Sequence, residues 1–149
     1  MMLISHRGNL VGPDPLRDNQ VDAVEQVISK GFLCEVDVHY VDGYFWLGHD
    51  APCSRVPLTF LQRPSIIAHA KDGQTLVALL QEKVHTFWHD KDPYTLTSNG
   101  YVWAFPGYEQ AGMISVLPER SGFTKEDLAH KGCIGVCSDN IQEYFPNTG

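Results

Sequence analysis

The chain has 149 residues, 43% of them hydrophobic and 19% charged, which is enough to bury one sizeable core and implies a single domain over residues 1–149. The formal net charge is -7 and the lysines and arginines are scattered singly, so there is no basic stripe for a nucleic acid polymer. The apolar start Met1-Met2-Leu3-Ile4 gives way at once to His6-Arg7-Gly8, too short a run for a signal core or membrane span, so the expected protein is cytoplasmic without membrane insertion.

Met2 to Ser5 reads as a first strand that delivers His6-Arg7-Gly8-Asn9 to its end, where ligand sites of α/β folds gather. Gly12-Pro13-Asp14-Pro15 must be an irregular loop. The spacing then predicts a helix with Asn19 as its N-cap, Val21, Val24, Val27 and Ile28 as its apolar stripe, and Gly31 as its stop.

Phe32 to Asp50, FLCEVDVHYVDGYFWLGHD, is the most informative stretch. Its β-branched and apolar residues make a strand on which Glu35 and Asp37 share one face. Asp42-Gly43 then turns the chain in a tight hairpin through Phe45-Trp46-Leu47 to His49-Asp50. Two carboxylates on one face of a buried strand repel each other and lose hydration, which calls for a cation; a divalent metal is the simplest resident. The alternative is an ordinary hairpin with both carboxylates in water. Leu33 and His39 on the same face speak against it.

Further on, Ser54 to Pro64 reads as a loop with one helical turn, and Ile66 to Lys71 as a strand whose His69 and Lys71 share a face. Asp72 caps a helix over Thr75 to Glu82 with Leu76, Leu79 and Leu80 inward. His85 to His89, Tyr101 to Phe105, Ile114 to Leu117 and Cys133 to Cys137 are strand runs, and Thr124 caps the one remaining helix, to His130. The four cysteines form no CxxC pair and read as reduced thiols. Seven or eight strands with chemistry at their ends suggest a barrel, yet a (β/α)₈ barrel typically takes about 250 residues. The expectation is therefore an α/β fold of minimal (β/α)₈ type, with several outer helices missing from its second half. Wall left bare in that way hints at a homo-oligomer.

His6-Arg7-Gly8, Glu35-x-Asp37 and Gly48-His49-Asp50 together resemble, in order and spacing, the signature of the glycerophosphodiester phosphodiesterases, within the phospholipase-C-like phosphodiesterase superfamily. The resemblance is strongest from Ile4 to Asp50 and thinner to Lys71. It implies a (β/α)₈ barrel, His6 and His49 as catalytic acid and base, Arg7 on the phosphate, and one divalent metal ion on Glu35 and Asp37. That family's third ligand is the glutamate of a Glu-x-Lys motif; here Ala68-His69-Ala70-Lys71 carries histidine in its place. The family's Pro-Glu-Asn-Thr segment is replaced by Arg17-Asp18-Asn19-Gln20.

The residues supply the parts that phosphodiester hydrolysis needs. Arg7 offers a planar fork to the phosphate and Lys71 a point charge, while a cation on the carboxylates acts as Lewis acid. His6 and His49 are of the type that moves protons near neutral pH. His69 is read as a metal ligand, with a phosphate or hydroxyl contact and a structural role as its alternatives. As a ligand it favours manganese, zinc or iron, whereas carboxylates alone suit magnesium or calcium. His89 is a substrate-contact candidate, His85 and Asp92 belong to wall, and Glu119 is a candidate replacement for the missing acid. Ser138 and Asp139 are candidates for the rim, and Tyr101 and Trp103 read as core or rim packing. The leading expectation is a metal-dependent hydrolase of a small phosphodiester. The competing ones are a non-catalytic phosphate- or phosphosugar-binding barrel module and an interaction subunit.

Overall fold

A computed structural model describes residues 1–145. Ten strands and four α-helices alternate along the chain: β1 (Met2–His6), α1 (Val21–Ser29), β2 (Leu33–Val41), β3 (Tyr44–Leu47), β4 (Ser54–Val56), α2 (Leu58–Leu61), β5 (Ile66–Ala70), α3 (Gly73–Gln81), β6 (Thr86–Phe87), β7 (Tyr94–Leu96), β8 (Val102–Ala104), β9 (Ile114–Val116), α4 (Lys125–Lys131) and β10 (Gly135–Ser138). All ten strands belong to one mixed sheet. Its spine is a parallel run in the order β6, β5, β2, β1, β10, β9, β8. The hairpin strands β3 and β4 and the edge strand β7 join it antiparallel.

The two faces of the sheet bury different sets of side chains. Cys34, Val36 and Val38 of β2 and Ile66, Ala68 and Ala70 of β5 pack outward on the helices, where Val24, Val27 and Leu79 meet them. Each fully buried valine, leucine or isoleucine among them contributes roughly 1.5–3 kcal/mol. The other face carries a second cluster of Ile4, Ile67, Phe87, Trp103, Ile114, Val116 and Cys137. Phe87 of β6 and Trp103 of β8 stand on strands at opposite ends of the parallel run, yet their ring centroids are 4.7 Å apart, so the sheet curls on itself. Among the described residues the sheet does not close by strand pairing. Thr86 of β6 instead bonds the turn between β7 and β8, donating its N–H to Ser98 Oγ at 2.9 Å and accepting from the Ser98 N–H at 2.8 Å.

Where helices are lacking, loop residues cover the wall. Ala104 and Ser115 face away from the inner cluster and are fully buried, and Ser115 Oγ donates to the buried carboxylate of Glu109 at 3.4 Å. Part of the wall stays bare: Trp88, Tyr94, Leu96 and Tyr108 are exposed.

Several local expectations are corrected. Asn19 does not cap α1; the N-cap is Gln20, without a side-chain bond, because the Asn19 side chain is engaged elsewhere. Leu80 is exposed on α3, one position past the stripe that buries Leu79. Only Thr86–Phe87 of the His85–His89 run pairs as strand, and Ser54–Val56, expected as loop, adds a strand to the hairpin. Asp72 does cap α3, accepting from the Thr75 N–H at 2.8 Å, and Thr124 forms a full capping box with Asp127 on α4. The hairpin turn has both Asp42 and Gly43 at positive φ (52° and 82°), the geometry that a tight two-residue turn demands. Among the described residues no helix is long and apolar enough to cross a membrane.

Candidate functional site

Parallel register assembles the site. His6 is level with Glu35 across β1 and β2, and Asp37 is level with His69 across β2 and β5. Alternation turns all four to the inner face, with His6 one layer above Ile4, His69 one layer above Ile67, and Glu35 level with Ile67. The resulting cleft, about 320 Å³, is lined by His6, Arg7, Glu35, His49, His69, Lys71 and His89, with Phe105, Leu117 and Arg120 across from them and Phe87 and Trp103 at the floor. Of the expected catalytic, substrate-binding and metal-ligand residues all line this cleft except Asp37, which is buried at 0% exposure; the further candidates Glu119, Ser138 and Asp139 do not line it.

The cleft is built on an electrostatic conflict. Glu35 is 3% exposed, its Oε1 has no hydrogen-bond partner, and its Oε2 lies 3.5 Å from His6 Nε2. Burial and then the Asp37 charge push the Glu35 carboxyl above its ordinary pKa. Asp37 moves the opposite way. Against the upward pull of burial, His69, Arg7 and Asn19 hold it well below the usual carboxylate range. Arg7 Nε is 3.0 Å from Asp37 Oδ2, and His69 Nδ1 is 3.1 Å from Oδ1. Neither approach is aligned as a hydrogen bond, so Arg7 holds Asp37 by charge and Asp37 Oδ1 keeps an unclaimed lone pair. Lys71 Nζ is 3.9 Å from the same oxygen.

Asn19 supplies the aligned bonds. Its Nδ2 donates to Asp37 Oδ2 at 2.9 Å and its Oδ1 accepts from the Asp37 N–H at 2.8 Å, with the backbone in the left-handed region at φ 58°. Asparagine tolerates that region better than most residues, which reconciles the strained turn with the bidentate grip.

His6 is held from both sides. Its Nδ1 is 2.8 Å from Asp139 Oδ1, which leaves Nε2 directed at Glu35. Burial works against a charge on His6, but Glu35 and Asp139 outweigh it and the imidazole pKa is raised. Asp139 is itself braced: Asn9 Nδ2 donates to it at 2.9 Å, and Glu119 accepts both the Asp139 N–H at 3.2 Å and the Ser138 hydroxyl at 2.9 Å. Glu119 therefore props the end of β10 and is not a member of the carboxylate cluster.

His49 reaches the cleft through a constrained turn. Gly48 donates its N–H to the Asp37 carbonyl at 3.1 Å and its own carbonyl accepts from His39 Nε2 at 2.8 Å. At φ 155° a Cβ on Gly48 would lie 1.9 Å from the Ala51 carbonyl oxygen. His49 is 45% exposed at the mouth, with Nδ1 2.8 Å from Asp50 Oδ1. His89 stacks on His69 with centroids 4.6 Å apart and meets the tilted ring of Phe105 at 4.1 Å. Burial, then the neighbouring His69 charge, lowers its pKa to about 4, and its Nδ1–H donates to the Asp90 carbonyl, so Nε2 is left as an acceptor. His85 stays outside the cleft, bonded to Thr97 Oγ1.

Glu35, Asp37 and His69 can each present a ligand atom within 4.8 Å of the others. Two carboxylate oxygens without partners beside an imidazole form a donor set that fits a single divalent cation. The sequence placed Asp139 at the rim without naming His6 as its partner, and it missed Asn19 as the grip on Asp37 and Arg120 in the cleft. Only Asp139 carried a signal, its place at the end of the last strand. Comparison with family models, with curated proteins and with solved structures returns no match to this chain.

Proposed function

We propose that the protein is a divalent-metal-dependent phosphodiester hydrolase on a reduced (β/α)₈-type barrel, acting on a small glycerol- or sugar-linked phosphodiester. The carrying observation is that one cleft gathers an acceptor-rich cluster of Glu35, Asp37 and His69, two cationic side chains and two histidines of different environment. The barrel reading is supported by the seven-strand parallel run and by the contact between its end strands.

Glu35, Asp37 and His69 would hold the cation, which when bound supplies Lewis-acid neutralisation of the phosphoryl charge. Arg7 and Lys71, both anchored on Asp37, turn their remaining donors toward the phosphate. His6, whose proton is retained by Glu35 and Asp139, serves as the acid, and His49 at the wet mouth serves as the base. Water's oxygen bonds to phosphorus as its proton passes to His49. The bond from phosphorus to the alcohol oxygen breaks, and that oxygen takes the His6 proton. The products are a phosphomonoester and an alcohol.

Turnover of an aryl and an alkyl phosphodiester with magnesium, calcium, manganese and zinc tests this reading. His6→Ala and His49→Ala should each lower alkyl-diester turnover by about 10²-fold or more. The loss in His6→Ala should shrink with the aryl diester, whose leaving group needs no acid. No turnover of either diester with any of the four metals refutes the hydrolase and leaves the phosphate-binding module.

A further inference from the structure

The cations of the cleft are not equivalent. Arg7 and Lys71 share the carboxylate of Asp37, Arg7 also lies 3.9 Å from Asp18 Oδ2, and His6 is matched by Asp139 and Glu35. Arg120 lines the same cleft, and among the described residues no carboxylate lies within ion-pair distance of it. Asp90, the exposed acid on the same rim, is not paired with it.

The Arg120 side chain is exposed at the rim of the cleft, and what the fold fixes is the backbone that carries it. Arg120 sits in a 3₁₀ turn over Pro118–Ser121 that begins at Leu117, a residue forced to φ 50°. The turn is tied to the end of β10 at two points: Leu117 donates its N–H to the Cys137 carbonyl at 2.7 Å, and Glu119 accepts from the Ser138 hydroxyl and the Asp139 N–H. A branched residue held in the left-handed region stores strain that the surrounding bonds must sustain. Here that strain and those bonds fix the backbone from which the exposed Arg120 side chain reaches the wall of the cleft. Next to it the lining is apolar and aromatic, with Leu117, Pro106 and Phe105.

We infer that Arg120 determines specificity for a phosphodiester whose leaving alcohol bears a second anionic group, a phosphate or a carboxylate, with the carbon skeleton between the two anions lying along Phe105 and Leu117. The inference rests on the hydrolase reading for its substrate class, but its recognition element can be measured without catalysis.

Two measurements separate the two claims. In the first, propane-1,3-diol bisphosphate and propyl phosphate are titrated calorimetrically into the metal-loaded protein. The bisphosphate should bind roughly 10- to 100-fold tighter, the range for one added charge-assisted contact. Arg120→Ala should erase that difference while propyl phosphate is unaffected, and Arg120→Lys should restore part of it. In the second, kcat/KM is compared for three alkyl diesters whose leaving alcohols are neutral, carboxylated or phosphorylated. Arg120→Ala should lower the values for whichever anionic diester is preferred by a similar factor and leave the neutral one within about twofold. If no diester is turned over but the bisphosphate preference depends on Arg120, the hydrolase reading falls and the anion subsite stands. Equal wild-type affinity for the two phosphates, including no measurable affinity for either, overturns the inference. So does an Arg120→Ala loss that is the same for neutral and anionic diesters.

Discussion

Replacing Glu35 by Gln should stabilise the metal-free protein at pH 8 and abolish the stabilisation that divalent metal gives the wild type. Glu35 is buried beside the Asp37 carboxylate, and its Oε1 has no partner. Its folded-state pKa is raised, first by burial and then by Asp37. A carboxyl with a raised folded pKa destabilises the fold as pH rises above its unfolded value, fully so once the folded pKa is passed; below both values it has no effect. The cost of a buried polar group without partners is about 1–3 kcal/mol, and more for a charge. Gln removes the charge, and its amide N–H can donate to the unclaimed Asp37 Oδ1. At about 2–4 °C per kcal/mol for a chain of this size, the metal-free variant should melt roughly 2–12 °C above the wild type at pH 8. Near pH 4 the two should melt together. Saturating metal reverses the order: at one hundred times Kd it adds about 2.7 kcal/mol to a protein that binds it, and the variant lacks a ligand. Thermal melts in chelator and in metal at both pH values make the four comparisons. A variant less stable than wild type in chelator at pH 8, or one that metal stabilises equally, would refute the reading of Glu35 as a strained ligand.

His69→Glu should shift the metal ranking toward magnesium and calcium, since hard cations prefer oxygen donors; an unchanged ranking in titration calorimetry would place His69 outside the coordination sphere. Asn19→Ala removes both aligned bonds to Asp37 and puts a poorly suited residue at φ 58°, so chemical denaturation should register a loss of about 2–4 kcal/mol. Gly48→Ala drives a Cβ into the Ala51 carbonyl and should both destabilise the fold by about 2 kcal/mol or more and displace His49. Turnover lost together with stability in that variant, but restored by no change of metal, is the expected signature.

Much of the site was legible because its residues lie on strands, where alternation alone decides which side chains share a face. Glu35 with Asp37 and His69 with Lys71 follow from counting by two, and the Asp42-Gly43 turn and the Asp72 and Thr124 caps follow from backbone chemistry local to a few residues. What local pattern cannot carry is register between distant strands. His6 meets Glu35 and Asp37 meets His69 only because β1, β2 and β5 align at those levels, and Asp139 reaches His6 across 133 positions of sequence. The same limit explains Asn19. Its local chemistry suits a helix cap, but the two bonds offered by Asp37 from the neighbouring strand outcompete the end of α1. Arg120 is the extreme case, an ordinary surface residue in the sequence that becomes part of the cleft only once Glu119 ties its turn to the end of β10. Alternation and capping are set by each residue's immediate neighbours, whereas register, sheet curl and the pairing of buried charges are settled by packing energies shared among strands far apart in the chain.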